Sequence, residues 1–382
     1  MSTLRTTNLQ HASAASPAIV LASDGTATAQ LSSLNGGALS GARNRIINGD
    51  MRIDQRNAGA SIIINGGYPV DRWVNYYTGG GAITSQRSTT APSGFTNSLQ
   101  LTASTVDSSL AAGDYYFLRQ NIEGFNSADL GYGTADAKTV TLSFWVRSSV
   151  TGVYGGALGN SAENRSYAFT FTVSAANTWE YKTIAIPGDT TGTWVTDNGV
   201  GLRVNFSLGM GSNFLGTAGS WTGSLLLSAT GATNWISTSG ATFYITGVQL
   251  EAGSAATPFE RRSYGQELAL CQRYFLKSFR DTNPASNPTY DSGYGYVEFI
   301  VGNATTNALY TTVFFPVEMR SLPTVTIYDN TSPNPLSGKL YKGGSNKTAA
   351  TGGANTRSVQ VGTSDATSSN EIFFAYKADS EL

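Results

Sequence analysis

Short runs that alternate apolar and polar residues, each closed by a cluster of turn residues, recur along most of this chain. A period of two places successive side chains on opposite faces of an extended backbone, so each run can bury one face only as a strand. Thr139-Val140-Thr141-Leu142-Ser143-Phe144-Trp145-Val146-Arg147 is the clearest case, and residues 166–173, 181–186, 201–208 and 241–250 repeat it. Pro187-Gly188-Asp189 and Thr191-Gly192 punctuate the series. Many short strands with such punctuation predict an antiparallel sandwich, with the jelly roll as its form. Trp73 and Trp145 fall inside strand-like runs and read as core.

The same character resumes near the end, in residues 295–301, 309–315, 324–328, 358–361 and 371–377, with Pro284, Pro288, Pro323, Pro333 and Pro335 marking loops. These runs predict a smaller second sandwich. One helix interrupts the β pattern. Ser263-Tyr264-Gly265-Gln266 has the form of a capping box, and Tyr264, Leu268, Cys271 and Phe275 follow as one apolar stripe. Cys271 therefore reads as a packing residue. The expected all-β organisation is an N-terminal extended arm (1–41), a large jelly-roll β-sandwich (42–262), one short linking helix (263–278) and a smaller C-terminal β-sandwich (279–382).

In the arm, residues 18–23 and 26–31 flank Asp24-Gly25, the signal of a hairpin with a two-residue turn. A lone hairpin is marginal in water, so the segment is either a loose tail or an arm that orders against a partner chain. Ile19, Val20, Leu21 and Leu31 are its candidate docking and oligomerisation residues.

Composition narrows the function classes. Only 13% of residues are charged, against about 25% in ordinary soluble domains. With a net charge of −1 and no long basic run, no phosphate-tracking surface for nucleic acid is visible. The lone Cys271 and lone His11 remove a disulfide framework, a multi-cysteine zinc site and most Ser/His/Asp arrangements. Gly79-Gly80-Gly81 lacks the Lys-Ser/Thr of a nucleotide loop. No run of signal-peptide or membrane-spanning character is present, so neither standard export nor membrane insertion is expected. No enzyme activity and no cofactor are expected.

Three segments resemble bacteriophage tail-fibre and virion structural proteins. The first is Asn44-Arg45-Ile46-Ile47-Asn48-Gly49-Asp50-Met51-Arg52-Ile53-Asp54-Gln55-Arg56 with Tyr68-Pro69-Val70-Asp71-Arg72-Trp73. The second is Phe243-Tyr244-Ile245-Thr246-Gly247-Val248-Gln249-Leu250-Glu251-Ala252-Gly253, leading into Thr257-Pro258-Phe259-Glu260-Arg261-Arg262, and the third is Glu267-Leu268-Ala269-Leu270-Cys271-Gln272-Arg273-Tyr274-Phe275. The second is also similar to the closing strand of carbohydrate-binding-module jelly rolls, folds that often hold calcium. Asp50, Asp71 and Glu251 are possible oxygen ligands, but Asp71 beside Arg72 reads as an ion pair or cap, and no metal is expected.

The resemblance implies a homotrimeric tail-fibre or appendage subunit of a virion, assembled in the host cytoplasm and released by lysis. Its arm would dock to other phage tail or virion proteins, and the chain would touch host cell-surface polysaccharide. The alternatives are a purely structural virion protein, such as a head decoration or baseplate connector, and a polysaccharide depolymerase. Sugars stack on aromatic faces, so Trp179, Trp194, Trp221 and Trp235, near loops or strand ends, are the candidate glycan-stacking residues.

Overall fold

The computed structural model describes residues 43–63, 65–279, 284–285, 297–300, 309–329, 335–364 and 371–382, with the backbones of three short strands before them. Those three, Asn8–Leu9, Ile19–Leu21 and Ala27–Ala29, form a small antiparallel sheet. The expected hairpin is present, but Leu21 pairs with Ala27 and Val20 with Thr28. Those pairs are centred on position 24, whereas a two-residue turn at positions 24–25 would pair Leu21 with Thr28. Leu31 lies outside the described residues.

The large sandwich has two antiparallel sheets. One runs in the order Trp221–Thr222, Ser166–Val173, Gly152–Gly159, Val200–Met210, Tyr115–Glu123, Trp73–Tyr77, Gly67–Val70. The other runs Glu180–Ile186, Val140–Ser148, Thr242–Ala252, Ser98–Thr105, Ala82–Ser88, Ile62–Ile63. Strand 140–148 shows why the pattern folds this way: Val140, Leu142, Phe144 and Val146 enter the core, where Trp73 and Phe206 also lie. Trp145 and Arg147, one residue out of phase, face away. Trp73 is core as expected, whereas Trp145 is not. An apolar residue on the polar phase of a strand points outward whatever its hydrophobicity.

Helix Tyr264–Gln272 begins with the expected capping box, Ser263 and Gln266 exchanging side-chain and backbone hydrogen bonds. Cys271 is buried, and burial drives its thiol pKa up. The predicted stripe holds only in part. Tyr264, in the first turn, is 49% exposed, and Phe275 has left the helix for strand Phe275–Lys277.

That strand opens the second unit by pairing with Glu371–Asp379, which also takes Val297–Ile300, Thr324–Tyr328 and Lys339–Lys342 as partners. Leu309–Phe314, Ser358–Thr363 and Ala350–Gly352 form a facing three-stranded sheet. Leu340, Ile372, Phe374, Val359 and Val361 fill the space between. The hairpin of Lys339–Lys342 and Ser345–Thr348 has no counterpart in the sequence expectation. Its strands are lysine-rich and polar, so only Gly343-Gly344, both at positive φ, betrays the turn.

The units join through one buried and two partly buried guanidinium groups. Arg72 lies 3.5 Å from the Tyr274 ring centre, pairs with Glu381 and donates to the Asn121 carbonyl at 2.6 Å. Arg56 sits 3.7 Å over Phe275 and reaches Asp379 and Glu381, each at 3.2 Å. Arg273 forks onto Glu123 at 2.9 and 2.5 Å, and the Tyr274 hydroxyl donates to the same carboxylate at 2.6 Å.

The first distinctive sequence segment serves this junction. Asn48 holds the backbone of Ile53 and Asp71 with its side chain, and its carbonyl accepts from the Trp73 indole. Gly49 allows a close backbone approach: a Cβ there would lie 2.2 Å from the Val248 carbonyl oxygen.

Candidate functional site

The four sequence-predicted tryptophans separate into three environments. Trp235 is fully buried, in the short turn Trp235–Ser237 against Phe243, so it is a core residue and not a stacking surface. Its candidacy came from its glycine- and threonine-rich neighbours, and the chain folds that loop inward.

Trp194 and Trp221 meet edge-to-face at 5.5 Å, with Tyr132 wedged against both. Both indole N–H groups are committed, Trp194 to the Thr191 carbonyl at 3.0 Å and Trp221 to that of Pro187 at 2.7 Å. These rings pin the rim of the sandwich. Arg165 reinforces it by forking onto Asp189 at 2.6 and 2.8 Å, which draws the Asp189 carboxyl below its ordinary pKa against the opposing effect of burial.

Trp179 differs. It packs edge-on to Tyr244, whose ring carries the Arg147 guanidinium at 5.0 Å. Arg147 and Trp145 share the outward phase of strand 140–148, and Trp145 pairs across to Tyr181, their ring centres 5.4 Å apart. Phe95, Phe259 and Arg261 continue the surface: the rings meet at 5.2 Å, and the guanidinium sits 4.8 Å over Phe95. A groove of about 490 Å³ runs along Trp145, Tyr181, Phe95 and Phe259.

A backbone irregularity makes this strip possible. The register between strands 140–148 and 242–252 slips by one residue between Ser143 and Trp145, a β-bulge with Gly247 at φ +61°. A Cβ on Gly247 would lie 2.6 Å from Phe95 Cζ and 3.2 Å from Trp145 Cδ1. Glycine lets both rings close over the backbone.

The strip has hydrogen-bonding capacity left over. Among the described residues the indole N–H groups of Trp145 and Trp179 and the Tyr181 hydroxyl have no partner within the chain, and Tyr181 is 43% exposed. Flat apolar faces with free donors at their edges suit a polyhydroxylated ligand, whose C–H faces stack and whose hydroxyls accept.

The outer face of the opposite sheet is more covered. Phe117, Met210 and Leu227 are buried there, and Arg119 and Arg203 both point to Glu163. Burial, with Arg203 alongside, lowers the Arg119 pKa to about 10.

Asp50, Asp71 and Glu251 have separate partners: Arg52, Gln55 with Arg56, and Thr257 with Gln249. No group of three metal-ligating side chains occurs among the described residues. Nor, among them, is any helix long and apolar enough to cross a membrane.

No protein-family model matches the chain, and no curated protein sequence does. Solved structures do show likenesses. One is the enzymatically active domain of tailspike protein 4 from bacteriophage CBA120 (13% identity, TM-score 0.31), covering 55% of this chain but 21% of the tailspike. Another is a putative sugar-binding protein from Bacteroides thetaiotaomicron (12%, TM-score 0.31), covering 55% and 99%. A third is the family 11 carbohydrate-binding module from Clostridium thermocellum with a mixed-linked tetrasaccharide (13%, TM-score 0.27), covering 51% and 98%. The chemistry of the strip rests on its own residues.

Proposed function

We propose that this chain is a non-enzymatic structural subunit of a bacteriophage particle, a tail-fibre-like or appendage protein that touches host-surface glycans through the strip around Trp145. The carrying observation is the contrast among the tryptophans. Trp194 and Trp221 spend their N–H groups on backbone carbonyls, whereas Trp145 and Trp179 keep theirs. The resemblance of the 44–73, 243–262 and 267–275 segments to virion proteins supports the particle setting. In this reading the subunit is a homotrimer anchored by its N-terminal arm to other virion proteins.

Affinity electrophoresis through gels containing host surface polysaccharide tests the glycan contact. The wild-type protein is expected to be retarded and Trp145→Ala to migrate freely; equal retardation of the two ends the reading. Incubation should leave the polysaccharide at its original length, and shortening would establish a depolymerase instead. Immunogold labelling tests the setting, since antibody that decorates no part of a purified virion contradicts it.

A second reading, a purely structural virion component, is favoured by the apolar character of the same strip, which suits a contact between subunits. It predicts that Trp145→Ala lowers the oligomeric state in light scattering.

A further inference from the structure

Most arginines elsewhere among the described residues are neutralised locally, while Arg87 and Arg320 donate to backbone carbonyls. Arg72 pairs with Glu381, Arg165 with Asp189, Arg203 with Glu163 and Arg273 with Glu123. The two on the aromatic strip are not. Arg147 gives its Nε to the Asn177 carbonyl, and Arg261 gives one terminal nitrogen to the Gly94 carbonyl. Neither forms an ion pair with an acidic side chain among the described residues. Glu180, next to Tyr181, is already taken up by Lys182 and by the amides of Ser174 and Ala175.

Both guanidiniums lie over rings, Arg147 over Tyr244 at 5.0 Å and Arg261 over Phe95 at 4.8 Å and Phe259 at 5.8 Å. A stacked guanidinium is held flat and is weakly hydrated, with its remaining N–H groups aimed outward. Such a group is pre-organised for a planar or tetrahedral anion. Two guanidiniums without a direct ion pair thus flank the ring pair of Trp145 and Tyr181, Arg261 with Asp50 as a more distant counter-charge.

We propose that the strip is specific for an anionic polysaccharide, with sugar rings stacked on Trp145 and Tyr181 while carboxylate or sulfate groups pair with Arg147 and Arg261. This rests on the glycan reading above and adds the ligand's charge class. A neutral glycan leaves both guanidiniums without a direct ion-pair partner and forgoes the charge-assisted hydrogen bonds that separate the two classes.

The test is affinity electrophoresis of the full chain in four gels: polygalacturonate, the same polymer after carboxyl reduction, dextran sulfate and dextran. The proteins are wild type, Trp145→Ala and the double variant Arg147→Gln/Arg261→Gln. Both arginines lie on the surface strip, and circular dichroism checks that the fold is retained.

Wild type is expected to bind polygalacturonate or dextran sulfate at least tenfold more tightly than the uncharged counterpart. The double glutamine variant should lose roughly tenfold or more of that affinity per arginine, the scale of hydrogen bonds to a charged partner. Its residual binding should also become insensitive to salt, because the screened term is gone. Which charged polymer binds identifies the acid group. Equal binding of charged and uncharged polymers, a double variant that binds like wild type, or no retardation by either charged polymer overturns the proposal. Failure of the underlying glycan reading looks different: Trp145→Ala then binds every polymer as wild type does, or changes the oligomeric state in light scattering.

Discussion

Trp235 and Trp145 make a matched pair for separating a core role from a surface role. Trp235 has no exposure and sits among Phe243, Ile236 and the rest of the large core. Truncation to alanine leaves a cavity that close-packed strands cannot collapse, costing about 3–5 kcal/mol. Trp145 is half-buried on the outer face, so alanine opens no cavity; the loss is the contact with Tyr181, about 0.5–1.5 kcal/mol.

Urea unfolding followed by circular dichroism reads the difference. With a slope near 3 kcal/mol/M, at the upper end for small proteins, Trp235→Ala should move the sandwich transition down by roughly 1–1.7 M and Trp145→Ala by roughly 0.2–0.5 M. Trp235→Phe adds an internal control. The Trp235 indole N–H is buried without a hydrogen-bond partner, a penalty of about 1–3 kcal/mol that phenylalanine removes. That relief offsets much of the lost volume, so the phenylalanine variant should stay within roughly 0.5 M of wild type. Trp145→Ala destabilising as strongly as Trp235→Ala would refute the reasoning, because the strip would then be interior packing and not a free surface.

Two further predictions concern the junction. Arg72→Met and Glu381→Gln should each cost about 3 kcal/mol, since each strands a buried charged partner, while the double variant should fall short of the sum by about 1–3 kcal/mol in a urea-unfolding cycle; additivity within about 0.5 kcal/mol removes the ion pair from the account. Burial pushes the Asp71 carboxyl up to about 6, against the opposing pull of Arg56 and Gln55. Between its unfolded value of 3.8 and about 6 the folded chain holds a proton that the unfolded chain has released, so this group lowers stability as pH rises through that window, by about 3 kcal/mol in total. Asp71→Asn should flatten that fall in urea midpoints taken from pH 4 to 7, and an unchanged pH slope counts against it.

Local pattern alone determined much of this protein. Strand 140–148 could be read in advance because its period of two is uninterrupted, and the helix start because Ser263 and Gln266 satisfy backbone amides within one turn. The polar hairpin 339–348 escaped because its strands carry lysine and asparagine where an alternation would need apolar residues.

What only the tertiary structure decided is which ring faces which way and what stands beside it. Trp145 reads as core by hydrophobicity, yet its register with Tyr181 and the bulge at Gly247 place it at the centre of the candidate site. Trp235 reads as a loop residue, yet its loop closes over the core. The partners of Arg72 and Arg56 lie more than three hundred residues away in sequence, at Asp379 and Glu381. Periodicity is a property of neighbouring residues and survives in the sequence. Facing, pairing and the absence of a direct ion pair depend on which distant strands the fold sets side by side.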